Sequence, residues 1–552
     1  MEVIRAENLN FKYAGGNTAL TDINFSLEEG EMMCVCGPTG SGKSTLLRLL
    51  KRELSPRGER SGNIYISGRR QEDLDDYEAA TEIGFVFQRP DMQIVTDKVW
   101  HELAFGLENI GVRQNEIRRR VCEIAGYFGM ESRFDRTTDS LSGGEKQLLN
   151  LASVMVMQPR ILILDEPVSQ LDPIAASDFI ATIKKLCREF GISVIAAEQR
   201  LEELIPVCDR ILALGDGRTV AFGETRKCVE TLINDERFTA SMPASAKLFS
   251  ALSKEDRGGT IPLSVGEGRR FLKDYLNAHT DITGMTGKIA VSEVLSQLSA
   301  PVKKNEDTDR SADQGREGDA SGEIREDPKR AAAQDEYALE FKEVYLKYER
   351  NGRDILRSLS FKVKKGEIFC LLGGNGAGKS TAVSAAAGLI KPYSGKIKVF
   401  GKNIRDHKGQ ELYRECLAML PQDVQTVFIT DDINGRHPYD LSGGEQQLAA
   451  LEIVLAGKPK LLLLDEPTKG LDSGLAEKLR ERLKKLTEKG MTIVIVTHDV
   501  EFAASIADRC AMIFNGEVVS VSEAREFFEG NYFYTTALNR ITRGIIPGRK
   551  EC

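Results

Sequence analysis

Two nine-residue stretches carry the side chains most able to do chemistry. Gly373–Thr381 reads GGNGAGKST and Gly37–Thr45 reads GPTGSGKST. Four residues separate Gly373 from Gly378, and four separate Gly37 from Gly42, with Gly376 and Gly40 inside the loops. Such a loop folds with its backbone N–H groups pointing inward at a phosphate. Lys379 and Lys43 then reach the β/γ-phosphates, the hydroxyls of Ser380 and Ser44 can hold Mg²⁺, and Thr381 and Thr45 complete the two motifs. Apolar runs, Ile368–Leu372 and Met32–Cys36, precede the loops and helices follow them, so the anion sits at a helix N-terminus. A glycine-rich turn that binds nothing does not account for a full motif met twice in one chain.

Further polar groups recur in the same order around both loops. Tyr13 lies 24 residues before Gly37 and Tyr348 lies 25 before Gly373. Each could stack on a base or face the core, and the recurrence favours stacking. The runs Ile83–Phe87 and Leu417–Leu420 lead to Gln88 and Gln422, amides at the carboxyl edge of a sheet, where open α/β folds bind ligands. Ser142-Gly143-Gly144 and Ser442-Gly443-Gly444 open helices and form second anion sites. The uninterrupted strands Ile161–Leu164 and Leu461–Leu464 each end in two carboxylates. Asp165 and Asp465 are placed to hold Mg²⁺, and Glu166 and Glu466 to orient or deprotonate an attacking water. After the next strand, the first half carries Gln199 and the second His498.

The elements that position these groups read as a tandem repeat. Residues 1–30 read as short strands at Glu2–Ile4, Phe11–Tyr13 and Ile23–Leu27; Ser44–Arg52 reads as a helix and Asn63–Ser67 as a strand. Val99–Asn109 and Glu116–Phe128 carry apolar residues at helical spacing. Arg210–Gly223 reads as a hairpin, and so does the segment around Asn515-Gly516. The expected division is a first unit over 1–235, a small helical extension over 236–302, a linker over 303–336, a second unit over 337–530 and an aromatic–basic tail over 531–552. The linker holds Ile324 as its only large aliphatic and no aromatic, so it cannot bury enough surface to order itself. As a coil it spans roughly 30–35 Å.

A chain of 552 residues is too long for one core. Its 75 basic and 83 acidic residues, net −8, argue against nucleic acid as a partner. The ten cysteines contain no CxxC pair. Cys34 and Cys36 are expected on opposite faces of one strand, as small core residues of a reducing compartment. No window reaches the roughly 18 apolar residues of a membrane span, and the N-terminus lacks a secretory signal. The expected location is therefore cytoplasmic, with any membrane role exercised through partners.

With these blocks in place, each half resembles the nucleotide-binding cassette of an ABC transporter, and the whole resembles two fused cassettes. The subtype it is most similar to is the energy-coupling-factor importers of prokaryotes, which take up vitamins or transition-metal ions. That likeness rests on FQRPDMQIVTDKVWHELAFGLEN (87–109), RHPYDLSGGEQQ (436–447), DEPTKGLD (465–472) and FFEGNYFYTTALNR (527–540). The resemblance implies an α/β fold: two P-loop NTPase domains in tandem, each with a mixed or parallel sheet core, an antiparallel β subdomain and a helical subdomain. It implies ATP and Mg²⁺ as ligands, hydrolysis of ATP to ADP and phosphate, and membrane partners comprising a coupling protein and a substrate-binding component. It also implies head-to-tail pairing of the cassettes. Site one would combine Tyr13, Lys43, Ser44, Gln88, Asp165, Glu166 and Gln199 with Ser442, Gly443 and Gly444. Site two would combine Tyr348, Lys379, Ser380, Gln422, Asp465, Glu466 and His498 with Ser142, Gly143 and Gly144.

Two features depart from that pattern. Gln199 stands where the family places a histidine; glutamine donates a hydrogen bond but cannot carry charge or pass a proton as imidazole does. Slow hydrolysis at site one and most turnover at site two are the expectation. Secondly, 18 residues separate Gln422 from Leu441 where 52 separate Gln88 from Leu141. Eighteen residues cannot form the helical lobe that 52 can, so the second lobe is expected to be truncated and its grip on a membrane partner weakened. Twin-cassette ATPases that act on ribosomes are a second class, but their connectors tend to be long, helical and basic, unlike 303–336. DNA-repair twin cassettes would need zinc-type cysteine pairs. A binding-only regulator is disfavoured because Glu466 and His498 are both retained.

Overall fold

The structure, a computed structural model, describes residues 1–252, 259–279, 291, 294–295, 336–350, 352–407, 411–414, 416–428, 437–438 and 441–546. The linker at 303–335, much of the segment between Gln422 and Leu441, and the last six residues lie outside the described residues.

The first half is built from ten strands: β1 Glu2–Tyr13, β2 Thr18–Glu28, β3 Met32–Cys36, β4 Gly58–Ile66, β5 Arg69–Arg70, β6 Ile83–Val86, β7 Ile161–Asp165, β8 Ser193–Ala197, β9 Arg210–Gly215 and β10 Arg218–Glu224. They form a four-stranded antiparallel sheet, β2-β1-β4-β5, and a six-stranded sheet, β10-β9-β3-β8-β7-β6. The short opening strands expected from sequence are in fact two long ones. β1 stays paired with β4 on both sides of a register shift between Glu7 and Asn10, where Asn8 has φ 47°. This bulge breaks the apolar alternation without ending the ladder, which is why the sequence looked interrupted.

In the six-stranded sheet, β3 runs parallel to β8 and β9, and β7 runs parallel to β8 and β6. Strands buried on both faces read as continuous apolar runs, and Ile161 to Leu164 are fully buried. Cys34 and Cys36 lie in one core with Met32 and Leu162, while Met33 and Val35 face the other. The two cysteines therefore share a face, contrary to expectation, because residues two apart in a strand point the same way. Their reading as core residues stands.

The second half repeats the plan with β11 Tyr337–Leu346, β12 Leu356–Lys364, β13 Ile368–Leu372, β14 Ser394–Val399, β15 Lys402–Asn403, β16 Leu417–Leu420, β17 Leu461–Asp465, β18 Thr492–Val496, β19 Arg509–Phe514 and β20 Glu517–Glu523. Its sheets are ordered β12-β11-β14-β15 and β16-β17-β18-β13-β19-β20, the same neighbours as in the first half.

The halves differ in their helical lobes. In the first, the helices Val99–Asn109 and Gln114–Tyr127 bury Leu103, Leu107 and Val121 against Leu149 of the helix Gly143–Met155. In the second, the described residues between Leu420 and Gly443 hold the 3₁₀ turn Val424–Val427 and no α-helix.

The two ends of the chain's folded parts also meet. Leu248, Leu272, Tyr275 and Leu276, from the extension after the first half, form a small core with Ile541 of the tail helix Ala537–Thr542. Arg269 donates to the carbonyls of Arg540 at 2.7 Å and Arg543 at 2.9 Å, satisfying orphan groups at that helix's C-terminus.

Candidate active sites at the two phosphate loops

Both phosphate loops sit between a central strand and a helix, β3 before Lys43–Leu50 and β13 before Lys379–Ala386. Gly42 and Gly378 precede these helices with φ of 97° and 101°. A Cβ on Gly42 would lie 2.8 Å from the Ala19 carbonyl oxygen, so turn and packing both require glycine there. Lys43 Nζ donates to the carbonyls of Gly37 at 2.7 Å and Pro38 at 3.0 Å. Lys379 Nζ does the same to Gly373 at 2.9 Å and Gly374 at 3.0 Å. Each ammonium is thus curled into its own loop. Burial lowers the pKa of both lysines, and the charges of Glu166 and Glu466 oppose that shift.

Hard oxygen donors suited to a divalent cation face each other beside each loop. Ser44 Oγ donates to Asp165 Oδ1 at 3.0 Å, and Ser380 Oγ to Asp465 Oδ1 at 3.0 Å. Burial raises the pKa of Asp165 and pushes that of Asp465 up to about 6. The donor set therefore fits Mg²⁺. At the rim, the hydroxyls of Tyr13 and Thr45 lie 2.7 Å apart and those of Tyr348 and Thr381 lie 2.9 Å apart. Both tyrosines stay exposed rather than entering the core.

The two buried glutamates have different surroundings. Each takes a left-handed backbone, φ 47° at Glu166 and 52° at Glu466, and is held by an N–H bond to the next strand, to Ala197 O at 2.9 Å and Val496 O at 2.8 Å. Glu166 accepts an amide on each carboxylate oxygen, Gln199 on Oε1 and Gln88 on Oε2. Burial and the Asp165 charge raise its pKa. Glu466 instead accepts on Oε2 from His498 Nδ1 at 2.9 Å, Thr497 Oγ1 at 3.2 Å and the His498 N–H at 3.4 Å. Burial works against its ionisation, but the His498 charge and hydrogen bond, together with Lys379, hold its pKa below the ordinary value. His498 is 6% exposed, and its Nε2 is buried without a hydrogen-bond partner. Because His498 also lines the cavity at Lys379, that orphaned nitrogen fits a phosphate oxygen. Gln422 lines the same cavity without bonding to Glu466.

Glu198 escaped notice in the sequence because a carboxylate next to a functional position reads as a surface residue. It is fully buried, accepts the N–H groups of Val168 at 3.0 Å and Gln199 at 3.3 Å, and is pushed up to about 8 by burial and by Glu166. Thr497 occupies the equivalent position in the second half.

The halves face each other head to tail. Thr39 N–H donates to Asp472 Oδ2 at 2.7 Å, and Asn375 N–H donates to Asp172 Oδ2 at 3.2 Å. Each aspartate also caps its own helix, through Leu475 N–H at 2.7 Å and Ala175 N–H at 3.0 Å. Arg200 and Asp499 form an ion pair of 2.8 Å across the same interface. The recurring Leu-Asp pairs at 171–172 and 471–472 were the only sequence signal for these contacts. A cavity of about 320 Å³ surrounds Lys379, Ser380, Thr381, Gly376, Gly378 and Tyr348 and takes in Gln170 from the first half. Ser142 and Ser442 cap the helices they open, each accepting the N–H three residues on at 3.3 Å. None of Ser142, Gly143 and Gly144 lines this cavity, which is built from the second half's own groups and Gln170.

The family model described as "ABC transporter" matches residues 20–169 and 356–431. A second model, "AAA domain, putative AbiEii toxin, Type IV TA system", matches residues 395–504. A protein of Bacillus anthracis named "Putative ABC transporter ATP-binding protein" is 37% identical over 573 residues, covering 98% of this chain and 95% of its own length. The chain belongs to the ABC transporter ATP-binding proteins. It carries two ABC ATPase cassettes in tandem and is an ATP-hydrolysing enzyme that uses ATP and Mg²⁺. An ABC relative of the same printed name from Clostridium tetani is 32% identical and covers 80% of this chain and 95% of its own length. Among solved structures, cbiO1 of Clostridium perfringens, described as part of the ABC transporter complex cbiONQ, is 30% identical, covers 43% of this chain and 96% of its own, and superposes with a TM-score of 0.38. Among the described residues of this ABC protein, no helix is long and apolar enough to cross a membrane.

Proposed function

We propose that this chain is the ATP-hydrolysing subunit of an energy-coupling-factor importer. On this reading it drives uptake of a vitamin or transition-metal ion from the cytoplasmic face of the membrane, through a coupling protein and a substrate-binding membrane component. The stretches 87–109, 436–447, 465–472 and 527–540 support the subtype.

Within each site, Lys43 or Lys379 turns from its loop carbonyls to the phosphate oxygens, and the glycine loop donates backbone N–H groups to them. Ser44 with Asp165, and Ser380 with Asp465, would hold Mg²⁺, which supplies charge neutralisation at the phosphates. Closure of the cassettes carries Ser442-Gly443-Gly444 to site one and Ser142-Gly143-Gly144 to site two. Both surfaces present anion-binding groups, so a bound nucleotide favours the closed form. Glu466 accepts a proton from the attacking water while His498 Nε2 donates to the terminal phosphate.

The observation that carries the functional asymmetry is the His498–Glu466 pair. At site one the glutamate is held by two amides, Gln199 on one oxygen and Gln88 on the other, and Gln199 cannot take up a proton. Site two therefore performs most turnover. The shortened lobe of the second half gives that half the weaker hold on a membrane partner.

Replacement of His498 by alanine is expected to remove most ATPase activity; near-full activity in that variant contradicts the asymmetry. Purification of the chain from its native membrane is expected to recover small polytopic membrane proteins, whereas recovery of ribosomes would contradict the importer reading.

A further inference from the structure

Four residues beyond the metal-side aspartate, the first half carries Ser169 and the second Lys469. Both backbones make the same turn, Ser169 N–H donating to Glu166 O at 3.3 Å and Lys469 N–H to Glu466 O at 3.1 Å. The side chains behave differently. Ser169 Oγ closes on its own turn, donating to Glu166 O at 2.9 Å. Lys469 is half-buried and lines the cavity that contains Lys379, Glu466 and His498. Among the described residues its ammonium makes no hydrogen bond and no ion pair. Its charged neighbours are Glu466, Arg89 of the first cassette, Asp423 and Asp465.

Those neighbours fix the end of the cavity that Lys469 serves. On the nucleotide-site reading, with the base stacked on Tyr348, the terminal phosphate lies at Glu466, His498 and Gln422, which line the same cavity. Lys469 belongs to that group. A half-buried cation without a partner is costly unless a ligand anion completes it. The first cassette offers no equivalent cation, since Ser169 is short and already bonded.

We propose that Lys469 is a second phosphate-binding lysine of site two, its ammonium donating to an oxygen of the terminal phosphate and so favouring triphosphate over diphosphate there. This rests on the reading of the cavity as a nucleotide site. Lys469 takes no part in bond breaking.

The test uses the full chain with Lys43→Ala, which weakens site one and leaves site two to be titrated calorimetrically with Mg²⁺ and either ADP or the non-hydrolysable β,γ-imido analogue of ATP. Adding Lys469→Met is expected to weaken binding of the analogue about tenfold, the loss of one charge-assisted hydrogen bond, and to leave ADP within about twofold. Lys469→Arg is expected to restore most of the difference, which also controls for misfolding. Equal weakening of both ligands, or of neither, overturns the proposal while leaving the cavity's assignment intact. Absence of any nucleotide binding when Lys469 is present overturns both. Because binding is measured, the result does not depend on which site hydrolyses faster.

Discussion

His498 Nδ1 stands 2.9 Å from Glu466 Oε2, whereas at the equivalent place in the first half the Gln199 amide is bonded to Glu166. The imidazole keeps its other nitrogen unpartnered and able to carry a proton to a ligand; the glutamine gives one of its two amide N–H donors to the glutamate and cannot carry a proton. Exchanging the two residues should move activity between the sites. Steady-state phosphate release is expected to rise by about two- to fivefold on Gln199→His and to fall by roughly ten- to a hundredfold on His498→Gln, the scale of a lost general acid–base group.

The tail of the second half is locked into the first half's extension by Ile541, which is fully buried. Ile541→Ala removes three carbons from that core and should cost about 2–4 kcal/mol locally. Thermal unfolding followed by calorimetry is expected to show an earlier first transition, and limited proteolysis to cut the tail faster. An unchanged melting profile would mean that this joint core does not tie the two halves.

Glu198 gives a pH dependence whose sign can be worked out. Its carboxyl sits at about 8 in the folded chain, against an ordinary value near 4.5. Between those values the native state binds more protons than the unfolded state, so this group's contribution to stability is present at low pH and is lost as pH rises towards 8. Glu198→Gln keeps an acceptor for the Val168 N–H and removes the titration. The variant is expected to be more stable than the parent at pH 8, by on the order of 1–3 kcal/mol, with the gap shrinking towards pH 5. Denaturant melts at the two pH values check it.

Much of the fold and of each site was legible in the chain because the decisive residues are local. Glycine spacing, the apolar runs of β7 and β17, and the carboxylates that end them each report their own backbone. The six recurrent blocks fell into place because parallel strands deliver their carboxyl ends to one edge. What failed to show was non-local. The bulge at Asn8 hides one long strand as two short ones, and burial of Glu198 depends on strands from three parts of the sequence. The bonds from Thr39 to Asp472 and from Asn375 to Asp172 span 433 and 203 residues. The common core of Leu272 and Ile541 was likewise beyond periodicity, since neither helix shows its partner. The reading of Cys34 and Cys36 went wrong on a two-residue period that the strand itself makes plain.

Replacing each glutamate by its isostere tests the proposed inequality of the two composite sites most directly. Steady-state ATPase activity of Glu166→Gln is expected to stay within about twofold of the parent chain, and that of Glu466→Gln to fall by roughly a hundredfold. Equal losses in the two variants, or a larger loss for Glu166→Gln, would contradict it.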